Sequence, residues 1–393
     1  PRGVRVPRSY DGVLIRYGEL SLKGPSVRRS FETKLVENIS ACLRREGIDF
    51  DIRRPRGRIV VETSEVEKSQ DGIRRVFGVV SLSPIVVAEK DVESIKAAAV
   101  ALALQRVRRG VSFAVRCNRA DKSFPHTSQE VNAIVGAEIG KQTGGSVDLS
   151  NPEVTIGIDI RDRAYIFDRT IAGPGGLPLG TSGRVVTLLS GGIDSAVAAY
   201  MMMRRGCESV LVYMDNGRFG TDQMRERAIQ VSRILGRYSC GSEMELLVVP
   251  HEHSLSSFIE SCSRGLTCTL CKRMMVRVAD AVAAGEGCEA IVNGSSLGQV
   301  CSQTMRNLVL TVKATERPVF LPLVGFDKEE IVRLAKKIGT YDASTAPAGS
   351  CTAVPARPLT APTLDKVLTA ERAVDLDDLV EKSLEGMERI RIS

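Results

Sequence analysis

Between Leu188 and Ser195 the chain reads Leu-Leu-Ser-Gly-Gly-Ile-Asp-Ser, after the apolar run Arg184-Val-Val-Thr-Leu-Leu and before Ala196-Val-Ala-Ala-Tyr-Met-Met-Met. The first run is short enough for a buried strand, and the second suits a helix packed on a sheet. A strand that turns through two glycines straight into a helix belongs to a layered α/β sheet and to few other folds. The same junction gathers free backbone N–H groups and a positive helix end around a small anion. Gly191 and Gly192 allow close backbone approach, and Ser190 and Ser195 add hydroxyl donors. Asp194 would repel a phosphate unless it holds a metal or orients the site. The plain alternative is an ordinary tight turn.

In its residues the loop resembles the pyrophosphate-binding loop of ATP pyrophosphatases, which cleave ATP to AMP and pyrophosphate. On that resemblance, Leu189, Ser190, Gly191, Gly192, Ile193, Asp194 and Ser195 bind ATP. The Walker pattern Gly-x-x-x-x-Gly-Lys-Ser/Thr is absent. Past the loop, strands near 209–214, 245–249 and 290–293 alternate with helical stretches near 195–205, 221–236, 268–284 and 327–338. With the opening strand at 185–190, this is the pattern of a doubly wound parallel sheet, whose ligand sits at the carboxyl ends of its strands. Asn293-Gly294-Ser-Ser-Leu-Gly-Gln299 follows such a strand, so its polar groups should face that end, with an ordinary turn as the alternative.

Four glycines and two prolines in Ile171–Gly180 make the clearest boundary in the chain, because such a stretch continues neither a helix nor an internal strand. Residues 173–182 are read as a linker and 183–393 as the catalytic domain. Upstream, strand 12–17, helix 26–45, strands near 48–53 and 58–63, a helix near 70–76 and a strand near 79–88 follow a ferredoxin-like order. A helix over 93–107, a strand from Ser112, a capping box at Thr127–Glu130 and a hairpin over 154–168 make a further α+β module. The division adopted is 1–64 for the first module and 65–172 for the second.

Charge is divided unevenly. Residues 1–62 carry 14 Lys and Arg against 8 Asp and Glu, whereas residues 181–393 carry 25 of each. A basic region beside a neutral catalytic one points to a polyanion gripped away from the chemistry, or to a merely solvated basic surface. Arg116, Arg119 and Lys122 form a candidate phosphate patch on the same two readings. No apolar run is long enough to cross a membrane, no signal peptide is read, and the ten cysteines fit a reducing, cytoplasmic setting.

Cys268 and Cys271 open a helix one turn apart, where the helix end favours thiolate; the pair suits a metal, a cluster, redox work or inert packing. Cys351 stands in a loop of small residues. A three-thiolate site from Cys268, Cys271 and Cys351 would leave one cubane iron open. The histidine pair His251 and His253 is read as a solvated loop pair, with a ligand pair as the alternative.

Seven motifs occur in order: Arg16-Tyr-Gly-Glu-Leu-Ser-Leu-Lys-Gly24, Arg119-Ala-Asp-Lys-Ser-Phe-Pro125, Gly175-Gly-Leu-Pro, Ser190-Gly-Gly-Ile-Asp-Ser195, Cys271-Lys-Arg-Met-Met, Ser296-Leu-Gly-Gln-Val and Phe326-Asp-Lys-Glu-Glu330. Together they resemble the tRNA 4-thiouridine synthetase family, called ThiI. The resemblance implies a ferredoxin-like domain, an RNA-binding THUMP domain and a pyrophosphatase domain. It also implies ATP-dependent replacement of the 4-oxygen of uridine 8 in tRNA by sulfur, with Mg²⁺. Only 42 residues follow Cys351, too few for a rhodanese domain, so the chain resembles the archaeal-type branch. There, thiols at positions matching Cys268, Cys271 and Cys351 are associated with a 4Fe–4S cluster.

By the same resemblance, Asp194, Lys328 and Cys351 are catalytic, and Met214, Arg273, Gly294 and Gln299 join the ATP site. The stretch from Val212 to Gly217 departs from the His-rich one of bacterial members. Arg16, Lys23, Arg116, Arg119 and Lys122 are expected on RNA, and the sulfur donor is sulfide or a persulfide carrier. No membrane partner is expected, and a homodimer is left open. Two rivals remain at this point: a ligase of the same loop class acting on a small metabolite, and a non-catalytic tRNA-binding adaptor.

Overall fold

The computed structural model describes residues 10–19, 24–240, 243–300 and 302–392. They fall into two compact units that divide after Leu177, inside the Gly- and Pro-rich stretch.

The first unit begins β1 (Gly12–Tyr17), α1 (Pro25–Arg45), β2 (Asp51–Arg53), β3 (Ile59–Glu62), α2 (Val66–Ile73) and β4 (Val79–Ala88). Val13, Leu14 and Ile15 of β1 are fully buried, because the strand is paired antiparallel with β3 on one side and β4 on the other. α1 starts with Pro25 in its first turn and buries Leu35, Val36, Ile39 and Leu43 at helical spacing. α2 lies earlier than the expected 70–76, since Val66 and Ile73 both reach the core from one face. The unit continues with α3 (Val92–Ala103), β5 (Ser112–Arg119), α4 (Ser128–Thr143), β6 (Ser146–Val147), β7 (Val154–Ile160), β8 (Ala164–Phe167) and β9 (Ile171–Ala172). The expected capping box is present, with Thr127 and Glu130 each bonding the other's backbone N–H. β4 also pairs with β8. One sheet, ordered β2-β3-β1-β4-β8-β7-β5-β6 with β9 beside β4, therefore runs unbroken past the expected division at 64 and 65.

The second unit contains β10 (Arg184–Leu188), α5 (Ile193–Arg204), β11 (Glu208–Asp215), α6 (Asp222–Gly236), β12 (Met244–Pro250), α7 (Glu252–Ser261), α8 (Thr267–Gly285), β13 (Ala290–Asn293), α9 (Met305–Val312), β14 (Val319–Phe320), α10 (Lys328–Ile338), α11 (Tyr341–Thr345), α12 (Leu364–Glu371), α13 (Leu376–Glu385) and β15 (Glu388–Ile392). Its sheet runs β14-β13-β10-β11-β12-β15. All pairs are parallel except the last, where β15 covers β12 antiparallel. The chain moves outward from β10 to β12 and then returns to β13 on the other side of β10. That reversal opens a crevice at the carboxyl ends of the central strands. No helix among the described residues is long and apolar enough to cross a membrane.

Candidate active site

The Ser190–Ser195 loop lies at the end of β10, facing this crevice. Gly191 has φ +74°, and a Cβ there would stand 2.9 Å from the Ala228 nitrogen of α6. Both facts demand glycine. The Ser195 hydroxyl donates to the Gly192 carbonyl at 3.1 Å and accepts the Ser190 N–H at 3.1 Å, while the Gly192 N–H donates to the Ser190 hydroxyl at 3.3 Å. The loop is thus held by its own serines. Gly192 caps α5 with no side-chain acceptor, so the first N–H groups of the helix remain available to an anion. Gly294, after β13, faces this turn: a Cβ there would be 2.7 Å from the Ser195 Cα.

A cavity of about 240 Å³ opens against the loop. Leu189, Ser190, Asp194, Ser195, Met214 and Gly294 line it, and Gly191, Gly192 and Ile193 supply the turn behind them. Leu188, Val212, Met214 and Met275 give it an apolar end suited to an aromatic base. Two of its amide oxygens, Asn216 Oδ1 and Gln303 Oε1, are buried without a hydrogen-bond partner, as is the nearby Gln299 Nε2. Buried polar atoms of this kind cost free energy until a ligand or water meets them. Lys328 Nζ donates to Asp194 Oδ1 at 2.7 Å and to Gln299 Oε1 at 3.4 Å. A capping box of Asp327 and Glu330 fixes the start of α10, which carries this lysine.

Arg273 is not at this cavity. It is 1% exposed and forks onto Glu371 at 2.7 and 3.0 Å in the helical core. Its neighbour Lys272, unforeseen in the sequence, lines the cavity instead and donates to the Ser302 hydroxyl at 2.8 Å. One residue along a helix is a rotation of about 100°, so the buried phase of α8 takes Arg273 and the open phase takes Lys272. Asn216 and Gln303 were also missed as cavity residues, and the rule that ligands meet strand carboxyl ends would have found the first; Asn293 and Ser295 line the cavity too, in the stretch whose polar groups were read as facing that end.

Cys268 and Cys271 sit one turn apart at the start of α8, which no side chain caps. Cys351 sits in a loop pinned by the Thr352 N–H on the Phe219 carbonyl at 2.9 Å and the Thr221 hydroxyl on the Ala348 carbonyl at 2.7 Å. Burial, and then the charges of Cys351 and Cys268, push the Cys271 thiol well above its ordinary range. The helix end alone was expected to favour thiolate; desolvation and the two thiols beside it outweigh that. His251, expected in solvent, is fully buried, with Nε2 3.3 Å from Cys271 Sγ and Nδ1 without a partner. Burial, with a contribution from His253, holds its pKa down at about 3, so the ring is neutral. Among the described residues, no three His, Cys, Asp or Glu side chains converge tightly enough to hold a single metal ion.

The basic residues expected on RNA are placed differently from one another. Arg16 is half-buried, stacks 4.6 Å over the Phe167 ring and donates to the Ser83 hydroxyl at 3.0 Å, which makes it part of the packing of the first unit. Burial and the nearby Arg58 lower its pKa to about 10. Arg119 is turned onto the carbonyls of Phe124 and His126 at 2.9 and 3.2 Å, bracing its own loop. Arg116 is exposed and donates to the Leu149 carbonyl, and Lys122 is exposed. Lys23 lies outside the described residues.

Comparison with known proteins agrees over the whole chain. Family models match in three places: ThiI ferredoxin-like domain at residues 12–83, THUMP domain at 89–167, and Thiamine biosynthesis protein (ThiI) at 180–376. A probable tRNA sulfurtransferase of Methanothermobacter thermautotrophicus is 42% identical over 98% of each chain. Another, from Caldanaerobacter subterraneus, is 41% identical over 94% of this chain and 97% of its own. A crystal structure of a 4-thiouridine synthetase–RNA complex with bound ATP superposes with a TM-score of 0.88 at 31% identity, covering 98% of this chain and 100% of the other.

Proposed function

Since the chain belongs to the ThiI family, we propose that it is an ATP-dependent tRNA sulfurtransferase that converts uridine 8 of tRNA to 4-thiouridine, releasing AMP and pyrophosphate. One observation carries the reading: consecutive residues of α8 serve two needs, Lys272 lining the cavity against the Ser190–Ser195 loop and Cys271 standing among the thiols and His251.

The 4-oxygen of the base attacks the α-phosphorus of ATP, and pyrophosphate leaves. The loop N–H groups and the Ser190 hydroxyl hold the departing phosphates, and Lys328 and Lys272 offset the charge that develops there. Asp194 is the loop's one carboxylate and offers the hard oxygen that Mg²⁺ prefers, so it is the residue that would hold the ion, which would neutralise phosphate charge. Sulfur then attacks carbon 4, and AMP departs with the former carbonyl oxygen. Activation converts a poor leaving group into a good one.

The donor set of Cys268, Cys271 and Cys351 is soft, with a neutral imidazole beside it, and thiols bound to separate irons need not converge as they would on a single ion. These residues fit a 4Fe–4S cluster, which when bound supplies an iron with no protein ligand, open to sulfide. Apart from it, the chain keeps the thiols partly out of water, and the pinned Cys351 loop brings the third sulfur to the first turn of α8.

The test is tRNA-dependent formation of AMP and pyrophosphate together with near-ultraviolet absorbance of 4-thiouridine in the product RNA. ATP turnover indifferent to tRNA, or a product without sulfur, would sink the reading.

A further inference from the structure

His251 stands between β12 and α7, and its backbone is held on both sides. Its N–H donates to the Asp215 carbonyl at 2.7 Å, and its carbonyl accepts the Leu255 N–H at 3.2 Å. With α7 packed on α8, the ring is fully buried. Nε2 lies 3.3 Å from Cys271 Sγ, and Nδ1 has no partner among the described residues. The ring is not among the residues that line the cavity of the Ser190–Ser195 loop, so nucleotide binding does not account for it. A core position without chemistry would take an apolar side chain, because a buried imidazole with an unmet nitrogen costs free energy.

The unmet nitrogen selects between two arrangements of the proton. If Cys271 gives an S–H bond to Nε2, the ring proton sits on Nδ1, a buried donor with no acceptor. If the sulfur carries no proton, Nε2–H donates to it, and only a lone pair at Nδ1 goes unmet. A buried donor left without an acceptor is rarer than an acceptor with a lone pair to spare. The pocket is therefore built for a bare sulfur at Cys271, and a thiol loses its proton when it ligates a metal.

Resting on the cluster reading above, we propose that His251 is a positioning residue of the sulfur site, whose Nε2–H donates to the Cys271 sulfur when that sulfur ligates iron. The bond holds the ligand in place and draws charge off it. Hydrogen bonds to ligating sulfurs help set the potential of an iron–sulfur cluster, and partners of this kind steady the ligands themselves. Acting as a donor and not as a fourth ligand, the ring leaves the remaining iron open.

The experiment uses the full chain purified anaerobically, as wild type, His251→Leu, His251→Phe and His251→Gln. The readouts are the reduction potential of the cluster in a dye-mediated titration and the concentration of a ferrous chelator that removes half of the iron. His251→Leu should carry a cluster of more negative potential, because the reduced state bears more negative charge and loses a stabilising donor. It should also yield its iron at a chelator concentration about 10- to 100-fold lower. His251→Gln, whose amide N–H can stand in for Nε2–H, should return both values most of the way to wild type. His251→Phe keeps a flat ring without a donor and should follow His251→Leu, so the test survives if one of the two does not fold. ATP affinity should stay at the wild-type value in every variant. Wild-type potential and iron retention in His251→Leu and His251→Phe overturn this proposal alone. A glutamine variant as impaired as the other two marks the ring as packing or as an iron ligand and overturns it as well. Wild-type protein that holds no iron overturns the cluster reading and this proposal with it.

Discussion

Gly294→Ala tests the geometry of the nucleotide loop at a single atom. The added Cβ would stand 2.7 Å from the Ser195 Cα and 2.8 Å from its nitrogen, against the 3.4 Å at which ordinary contact begins. Both atoms are backbone, so no side chain can swing aside, and the start of α5 must retreat by about 0.7 Å. Overpacking of this kind costs about 1–3 kcal/mol. Displacement of a reacting group by close to 1 Å can cost about 10²-fold in rate. The expected result is a fall of about 10²-fold in kcat/KM for tRNA-dependent AMP formation, with weaker ATP binding by calorimetry. Gly285→Ala is the matched control: a Cβ there meets nothing within 4 Å, and the residue ends α8. It should leave activity unchanged and stabilise by at most about 1 kcal/mol. Gly294→Ala activity within threefold of wild type would refute the claim that this glycine sets the position of the loop.

Lys328→Ala should lower kcat by about 10²–10³-fold in the same assay, with a small change in thermal stability, since its pair with Asp194 is partly exposed. Arg273→Ala should behave oppositely, destabilising by about 3 kcal/mol, the low end for a broken buried pair because Arg277 still holds Glu371 at 3.0 Å, as denaturant unfolding would read; Lys272→Ala should instead raise KM for ATP in a stable protein. In metal-free protein, Cys271 should alkylate more slowly near neutral pH than in the unfolded chain. Thiolate is the reactive form and the folded thiol ionises late, so the rate should climb only as pH passes above the ordinary thiol range near 8.5. Peptide mapping after iodoacetamide reads this, and equal rates in the two states would contradict it. Anaerobically purified protein should contain about four irons with matching labile sulfide, and Cys268→Ala should lose both; an iron-free, active Cys268→Ala would favour a persulfide on Cys351.

Local signals carried much of this architecture. The capping box at Thr127, the apolar strands and the glycines at 191 and 192 each fix a conformation within a few residues, so the sequence predicts them well. Where packing decides, sequence reading stops short. α12, α13 and β15 are brief and weakly patterned, and they form because Val367, Leu379 and Ile392 find cores elsewhere in the unit. The exchange of Arg273 for Lys272 depends on the rotation of α8, which adjacent basic residues cannot reveal. His251 reads as a loop polar residue until α7 and α8 close over it and place it on Cys271.

The ten residues of β4 give the first unit a mechanical property that neither module would have alone. Hydrogen-bonded to β1 and to β8, the strand is a splint that ties the two modules into one sheet. Cutting between the modules would then cost more than the residues removed, because each half would be left with a bare sheet edge where the other had been.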